Sequence, residues 1–342
     1  MGVVSLVRRR LEAQDDPDRP AENEPFPFGI CLLLGTAYGA SIGGMATIIG
    51  TPPNGLLKAF ALDNYGIEIT MQSWLPIGLS MSVLFLPLCW LVLTKIAFPV
   101  RIREIPGGRA LIREELEGEG PITTAQKRVG VVFLLTALAW MSRTWLVGIH
   151  VAGTQPLVGL SDAGIAMTAA LALFLLPSGQ GRERLLTWET AVKLPWGILL
   201  LFGGGLSLAA AVTSTGVDRF IGGSMTRFEG FPVPILVLVV SVLVILLTEI
   251  TSNTATTATF LPIIGAVGQG LGVNPLLFLI PLTLSASCAF MMPVATPPNA
   301  IVFGSGEITI GQMCKAGLWL NLIGLGLVMF VVYVVAIPVL GL

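Results

Sequence analysis

Long apolar runs separated by short polar segments dominate the chain, and their lengths suit a bilayer better than a soluble core. Runs at roughly 28–50, 73–97, 128–147, 161–177, 194–213, 274–295 and 317–341 lie near or above the ~20 residues a helix needs to cross about 30 Å of hydrocarbon. They predict an all-α polytopic membrane protein with about seven transmembrane helices. One further run, about 233–270, is built differently. Two apolar arms, 234–247 and 260–267, flank the polar stretch Thr248-Glu249-Ile250-Thr251-Ser252-Asn253-Thr254-Ala255-Thr256-Thr257. Each arm reads as too short or too interrupted to span alone, so a re-entrant hairpin with its tip near mid-bilayer is expected.

Charge sets the expected orientation. Arg101, Arg103, Arg109, Arg113 and Lys127 fall within 98–127, and Arg182, Arg184 and Lys193 within 178–193. The positive-inside rule places both segments, with Arg8, Arg9 and Arg10, in the cytoplasm. The segment 148–160 has no Lys or Arg and should face outward, as should the C-terminus. The hairpin then enters and leaves by the outer face, with Arg219 and Arg227 in an outer interfacial helix. The mixed charges of 109–119 suit an interfacial or cytoplasmic helix.

Composition narrows the function classes. Of 342 residues 54% are hydrophobic and 11% charged, against about 25% charged in soluble domains. A net charge of −1 leaves no footprint for nucleic acid. Cys31, Cys89, Cys288 and Cys314 are scattered through apolar segments, which suggests neither a disulfide framework nor a metal site. The single histidine, His150, falls in an expected loop. No paired catalytic groups occur in the apolar runs, so the chain does not read as an enzyme and no cofactor is implied. Residues 1–27 lack the apolar core of a signal peptide, so the first spanning helix must direct insertion into the cell (inner) membrane.

The word Thr-Pro-Pro-Asn occurs twice, at Thr51 to Asn54 and Thr296 to Asn299. Two successive prolines remove two backbone donors and push the preceding residue out of helical conformation, so both copies are expected to break helices. Broken helices at membrane depth line cavities. Paired breaks in two halves mark the binding site of a secondary transporter. Gly203, Gly204 and Gly205 read as a close helix-packing surface.

The polar tip supplies neutral oxygens and amides only. Basic residues in the apolar runs are nearly limited to Lys58, Lys95 and Arg143, none of them at the tip or in a Thr-Pro-Pro-Asn copy. A desolvated dianion there would lack a fixed counter-charge, at a cost of several kcal/mol or more. Bound cations would offset that cost and couple ion to anion. A Ser or Thr in a membrane helix also commonly bonds a backbone carbonyl or a neighbouring helix instead. Glu249, alone in its apolar run, reads as either a functional carboxylate or a structural anchor of the hairpin.

Three segments carry a family likeness. Ala40-Ser41-Ile42-Gly43-Gly44-Met45-Ala46-Thr47-Ile48-Ile49-Gly50-Thr51-Pro52-Pro53-Asn54, the tip from Thr248 to Thr256, and Ala295-Thr296-Pro297-Pro298-Asn299-Ala300-Ile301-Val302-Phe303-Gly304-Ser305-Gly306 resemble the divalent anion/sodium symporter family. The resemblance implies sodium-coupled movement of a small dianion, di- or tricarboxylate or sulfate, with a C4-dicarboxylate the leading expectation. It also implies an elevator motion of a transport domain against a dimerising scaffold, hence a homodimer. Residue by residue it implies sodium coordination by Thr248, Thr251, Asn253 and Ala295, largely through backbone carbonyls and the Asn253 side chain, with the Gly50 carbonyl in the first half. Substrate contacts are implied for Thr51, Pro52, Ser252, Asn253, Thr254, Thr296 and Pro297. The family's two inverted repeats would then map as a cytoplasmic N-terminal segment at 1–27, the remainder of the first repeat at 28–97, a cytoplasmic linker at 98–127, and a complete second repeat at 128–342. A first-half Ser-Asn-Thr tip would fall near Arg9, where Arg8-Arg9-Arg10 cannot supply it. The chain therefore reads as N-terminally truncated, and the alternative to a carrier is a non-transporting fragment acting as a membrane scaffold or dimerisation partner.

Overall fold

The computed structural model describes residues 26–100, 113, 117, 120–150, 154–179, 183–194, 196–224 and 230–342. Expectations placed on Arg8, Arg9, Arg10, Arg101, Arg103, Arg109, Arg182 and Arg227 lie outside the described residues. Among those described, every regular element is helical, and β structure is limited to isolated bridge positions such as Pro177 with Arg184. Among the described residues, five helical stretches are long and apolar enough to cross a bilayer: Pro27–Gly44, Met71–Ala97, Thr124–Val147, Val233–Ile250 and Ile310–Leu340. The polytopic all-α reading therefore stands.

The chain divides into two compact units, Met1–Pro106 with Gly197–Leu342, and Gly107–Trp196. The smaller unit contains α4 (Thr124–Val147), α5 (Asp162–Leu175) and the single turn α6 (Trp188–Ala191). Thr123 and Gln126 form a reciprocal capping box at the start of α4, which satisfies two of the four N–H groups a helix start leaves orphaned. Arg143 on α4 pairs with Asp162 at 2.9 Å. Trp140 Nε1 donates to the Asp162 carbonyl at 3.1 Å. An arginine inside an apolar helix is thus held by a carboxylate on its neighbour, the usual condition for such a charge. α4 buries none of its side chains, and Phe133 and Trp145 are each 72% exposed.

The larger unit begins with α1 (Pro27–Gly44), α2 (Pro52–Tyr65) and α3 (Met71–Leu91), the last continuing through a wide turn at Val92–Ala97. It resumes with α7 (Gly197–Ser214), α8 (Val217–Ser224), α9 (Val233–Ile250), α10 (Asn253–Gly270), α11 (Leu276–Ala286) and α12 (Pro297–Phe303). It closes with α13 (Ile310–Val331), a second wide turn at Val332–Ala336, and α14 (Ile337–Leu340). Gly205 on α7 lies so close to α10 that an added Cβ would come within 2.6 Å of the Ala258 methyl, whereas one on Gly203 or Gly204 would meet nothing within 4 Å, so the packing role read for the three glycines holds at Gly205 alone.

A structural repeat runs through this unit. In each half a helix unwinds, a short helix restarts at Thr-Pro-Pro-Asn, and a long helix follows that begins at a threonine cap and ends in a wide turn. Thr70 with Ser73, and Thr309 with Gln312, form the two capping boxes. Gly78 of α3 lies against the Met45 and Ala46 carbonyls, and Gly317 of α13 against the Phe290–Met291 peptide. Each long helix therefore presents a bare glycine to the unwound stretch of its half, where a side chain would collide with backbone.

Two boundaries differ from the sequence expectation. The prolines start helices rather than breaking them: α1 stops at Gly44 and α11 at Ala286, and Pro52-Pro53 and Pro297-Pro298 occupy the first two positions of the helices that follow. At those positions the missing N–H would have had no partner, and proline's fixed φ is already helical. The hairpin arms are also longer than expected, 18 residues each, joined by Thr251 and Ser252 alone. Helix continues through Thr248 and Glu249 because both side chains find partners in the protein interior. At about 27 Å, α9 is long enough to span; it packs chiefly on α11, whereas α10 packs about equally on α11, α8 and α7.

Candidate functional site

Both unwound stretches and the hairpin tip face one cavity of about 340 Å³, at the lower end of the ~300–1,000 Å³ typical of small-molecule sites. The first break contributes Gly50, Thr51 and Pro52, the second Ala295, Thr296 and Pro297, and the tip Ser252, Asn253 and Thr254. Nine of the residues singled out from the sequence are therefore brought together, from positions up to 247 apart in the chain (297 − 50). No lining residue carries a formal charge.

The two breaks have nearly the same local geometry. Thr51 has φ −144° and ψ 143°, Thr296 φ −140° and ψ 149°, both extended. Asn54 and Asn299 are fully buried and pin the breaks from behind. Asn54 Nδ2 donates to the Thr47 carbonyl at 2.8 Å and the Met45 carbonyl at 3.4 Å. Asn299 Nδ2 donates to the Ala289 and Met292 carbonyls, both at 3.1 Å. The fourth letter of Thr-Pro-Pro-Asn thus fixes the irregular backbone that the preceding residues build. Gly50 admits no Cβ, which would overlap the Gly44 carbonyl oxygen.

The breaks differ in their hydroxyls. Thr296 Oγ1 accepts from the Asn299 N–H at 3.3 Å and caps α12, whereas the Thr51 side chain makes no cap bond. At the tip, Ser252 is the residue before α10. The first N–H groups of that helix have no partner within it, and its positive dipole end is directed at the cavity through Asn253 and Thr254.

Thr248 and Thr251, expected as sodium ligands, do not line the cavity. Thr248 is fully buried behind the tip, where its Oγ1 lies 2.7 Å from Asn253 Oδ1 and 2.8 Å from the Ala286 carbonyl oxygen. Three oxygens there share one hydroxyl proton, an arrangement rich in acceptors. Thr251 is exposed, and its hydroxyl bonds the Leu247 carbonyl at 2.8 Å and meets the Thr256 hydroxyl at 2.5 Å. Its side chain is committed to its own hairpin, the common fate of hydroxyls in membrane helices.

The sequence reading did not include Ala40, Ser41, Gly44, Ser287 and Pro298, which complete the lining. A usable signal existed for two of them. Ser41 and Ser287 precede their Thr-Pro-Pro-Asn copies by ten and nine positions, so aligning the halves on that word brings the two serines to within one position of each other.

Residues 3–342 match the family model described as the sodium:sulfate symporter transmembrane region. The chain belongs to the sodium:sulfate symporter family. Among curated relatives is the sodium-dependent dicarboxylate transporter SdcS of Staphylococcus saprophyticus, 38% identical over 340 residues, which cover 99% of this chain and 64% of that protein. SdcS of Staphylococcus aureus strain USA300 is likewise 38% identical over 341 residues, with the same coverage of both. The chain thus spans 64% of the length of the curated relatives it matches. The family likeness expected from the three motif segments is borne out, and the chain is a multi-pass membrane protein of that family.

Proposed function

We propose that this chain carries the binding site of a sodium-coupled symporter for a small dianion, with a C4-dicarboxylate as substrate. The supporting observation is the neutral lining: one cavity bounded by two Thr-Pro breaks and a Ser-Asn-Thr tip, with no Lys or Arg to balance a dianion. Burying two uncompensated negative charges in low dielectric is prohibitive, so cations must enter with the substrate. The oxygen cluster of Thr248, Asn253 and Ala286 offers one place for such an ion, since hard cations take oxygen ligands. Gly50 and Ala295 line the cavity, and their carbonyls are the proposed contributions from the breaks. Thr251 takes part only through its backbone. The anion's donors are the hydroxyls of Thr51, Ser252, Thr254 and Thr296, the Asn253 amide, and the free N–H groups opening α10, with Pro52 and Pro297 shaping the walls.

The dicarboxylate preference follows the relatives, which are sodium-dependent dicarboxylate transporters. We further propose an elevator mechanism in which the larger unit carries the site while the smaller, whose α4 presents an unburied apolar surface, serves as the dimerising scaffold. The test is uptake of labelled succinate by proteoliposomes containing the chain, with and without an inward sodium gradient. Uptake should require the gradient and be abolished by Asn253→Ala. Equal uptake without sodium, or wild-type kinetics in Asn253→Ala, refutes the proposal.

A further inference from the structure

The second break is held by a more specific device than packing. Glu249 lies in the last turn of α9, 5% exposed, shortly before the hairpin tip. Its Oε1 accepts from the Phe290 N–H at 2.8 Å and the Met291 N–H at 3.0 Å. Its Oε2 accepts from the Met291 N–H at 2.9 Å and the Met292 N–H at 3.0 Å. Asn321 Nδ2, on α13, donates to Oε1 at 2.6 Å. Each of these partners is a donor, which matches a group that only accepts.

The same peptide is gripped from its other end. The Phe290 carbonyl accepts from the Tyr38 hydroxyl at 2.7 Å, and the Phe290 ring packs edge-on against Tyr38 and Phe85, at 5.2 and 5.4 Å between centroids. Helix α1 of the first half, the hairpin arm α9 and the last long helix α13 therefore converge on one peptide of the second break. The first break is held differently. There Trp74 Nε1 and the Ser82 hydroxyl donate to carbonyls of Met45 and Ile42, while the Met45 and Ala46 N–H groups are satisfied within the local turn.

We propose that Glu249 is a positioning residue of the transport site, supported by Asn321 and Tyr38. It fixes the tip, Ser252 to Thr254, relative to the second-break wall, Ala295 to Pro297, without touching the guest. The carboxylate is anchored by α9 on the tip's side and spends its acceptor capacity on the backbone of the wall's own loop. Were it replaced by an amide, an NH₂ group would oppose backbone N–H donors, and the wall would lose its reference to the tip. This role rests on the functional reading above, because it matters only if tip and wall hold one guest between them.

The experiment uses the full chain in nanodiscs with two readouts, backbone amide exchange at 290–292 and sodium-dependent binding of labelled succinate. Glu249→Gln should accelerate exchange at 290–292 at least tenfold and weaken succinate binding at least tenfold, raising the sodium concentration for half-saturation with it. Asn253→Ala should lose binding while exchange at 290–292 stays as in wild type. Should Glu249→Gln fail to fold, Asn321→Ala removes one supporting donor, leaves the carboxylate in place, and should shift both readouts in the same direction by a smaller factor. Unchanged exchange at 290–292, or accelerated exchange with wild-type binding, overturns the positioning role. Absence of sodium-dependent binding in the wild-type chain overturns the functional reading and the positioning role with it, while exchange in Glu249→Gln still reports whether the tie holds the break.

Discussion

Single residues in this molecule are used for their hydrogen-bonding sense as much as for their size. Asn54 and Asn299 each direct Nδ2 at two carbonyls, so each position requires a donor. Asn299→Asp places a charged acceptor against the Ala289 and Met292 carbonyls, and should destabilise by about 2 kcal/mol or more. A lowered thermal midpoint in detergent, followed by tryptophan fluorescence, is the measurement. The two threonines that open the short helices separate along the same line. Thr296 caps α12 and Thr51 leaves α2 uncapped. Thr296→Ala should therefore cost about 1 kcal/mol while Thr51→Ala leaves the midpoint near that of the wild type. Identical shifts in the two variants would show that the cap bond is not what distinguishes them.

At the scale of elements, the molecule depends on irregular backbone held between regular helices. Gly317 is the clearest instance, since a side chain there meets the Phe290 carbonyl and the Met291 nitrogen. Gly317→Val should destabilise by about 1–3 kcal/mol and disturb the second break, visible as a lower midpoint and weaker succinate binding together. The longest helices were legible in the sequence because their apolar runs approach the hydrocarbon thickness, whereas the runs at 161–177 and 274–295 hold helices of only 14 and 11 residues; the tip was legible because polar residues interrupt an apolar run. The exact site of each break was not. Proline signals both an ending and a beginning, and only the structure distinguishes the first two positions of α2 and α12 from the interior of a longer helix. Glu249 stood out as a lone carboxylate, yet apart from Asn321 its partners are backbone N–H groups about forty positions later, and a backbone donor leaves no trace in the sequence. Thr248 and Thr251 show the converse: hydroxyls in the right stretch, one turned to a buried cluster and one to its own helix.

For the whole molecule, the neutral cavity predicts an order of dependence among ligands. Anything bound by the folded state alone stabilises it by an amount set by its concentration relative to its dissociation constant, about 2.7 kcal/mol at a hundredfold excess. Sodium and succinate together should raise the thermal midpoint, and succinate in a potassium buffer should leave it unmoved. A shift with succinate in potassium would mean that the dianion finds its counter-charge within the protein. The lining without lysine or arginine also bears on unloading. A fixed cation would grip its passenger equally on both sides of the bilayer and become a trap, whereas under the proposed sodium coupling the grip would itself be freight. Metal ions draining into a sodium-poor compartment would then leave nothing to detain the dianion, and discharge would need no separate trigger.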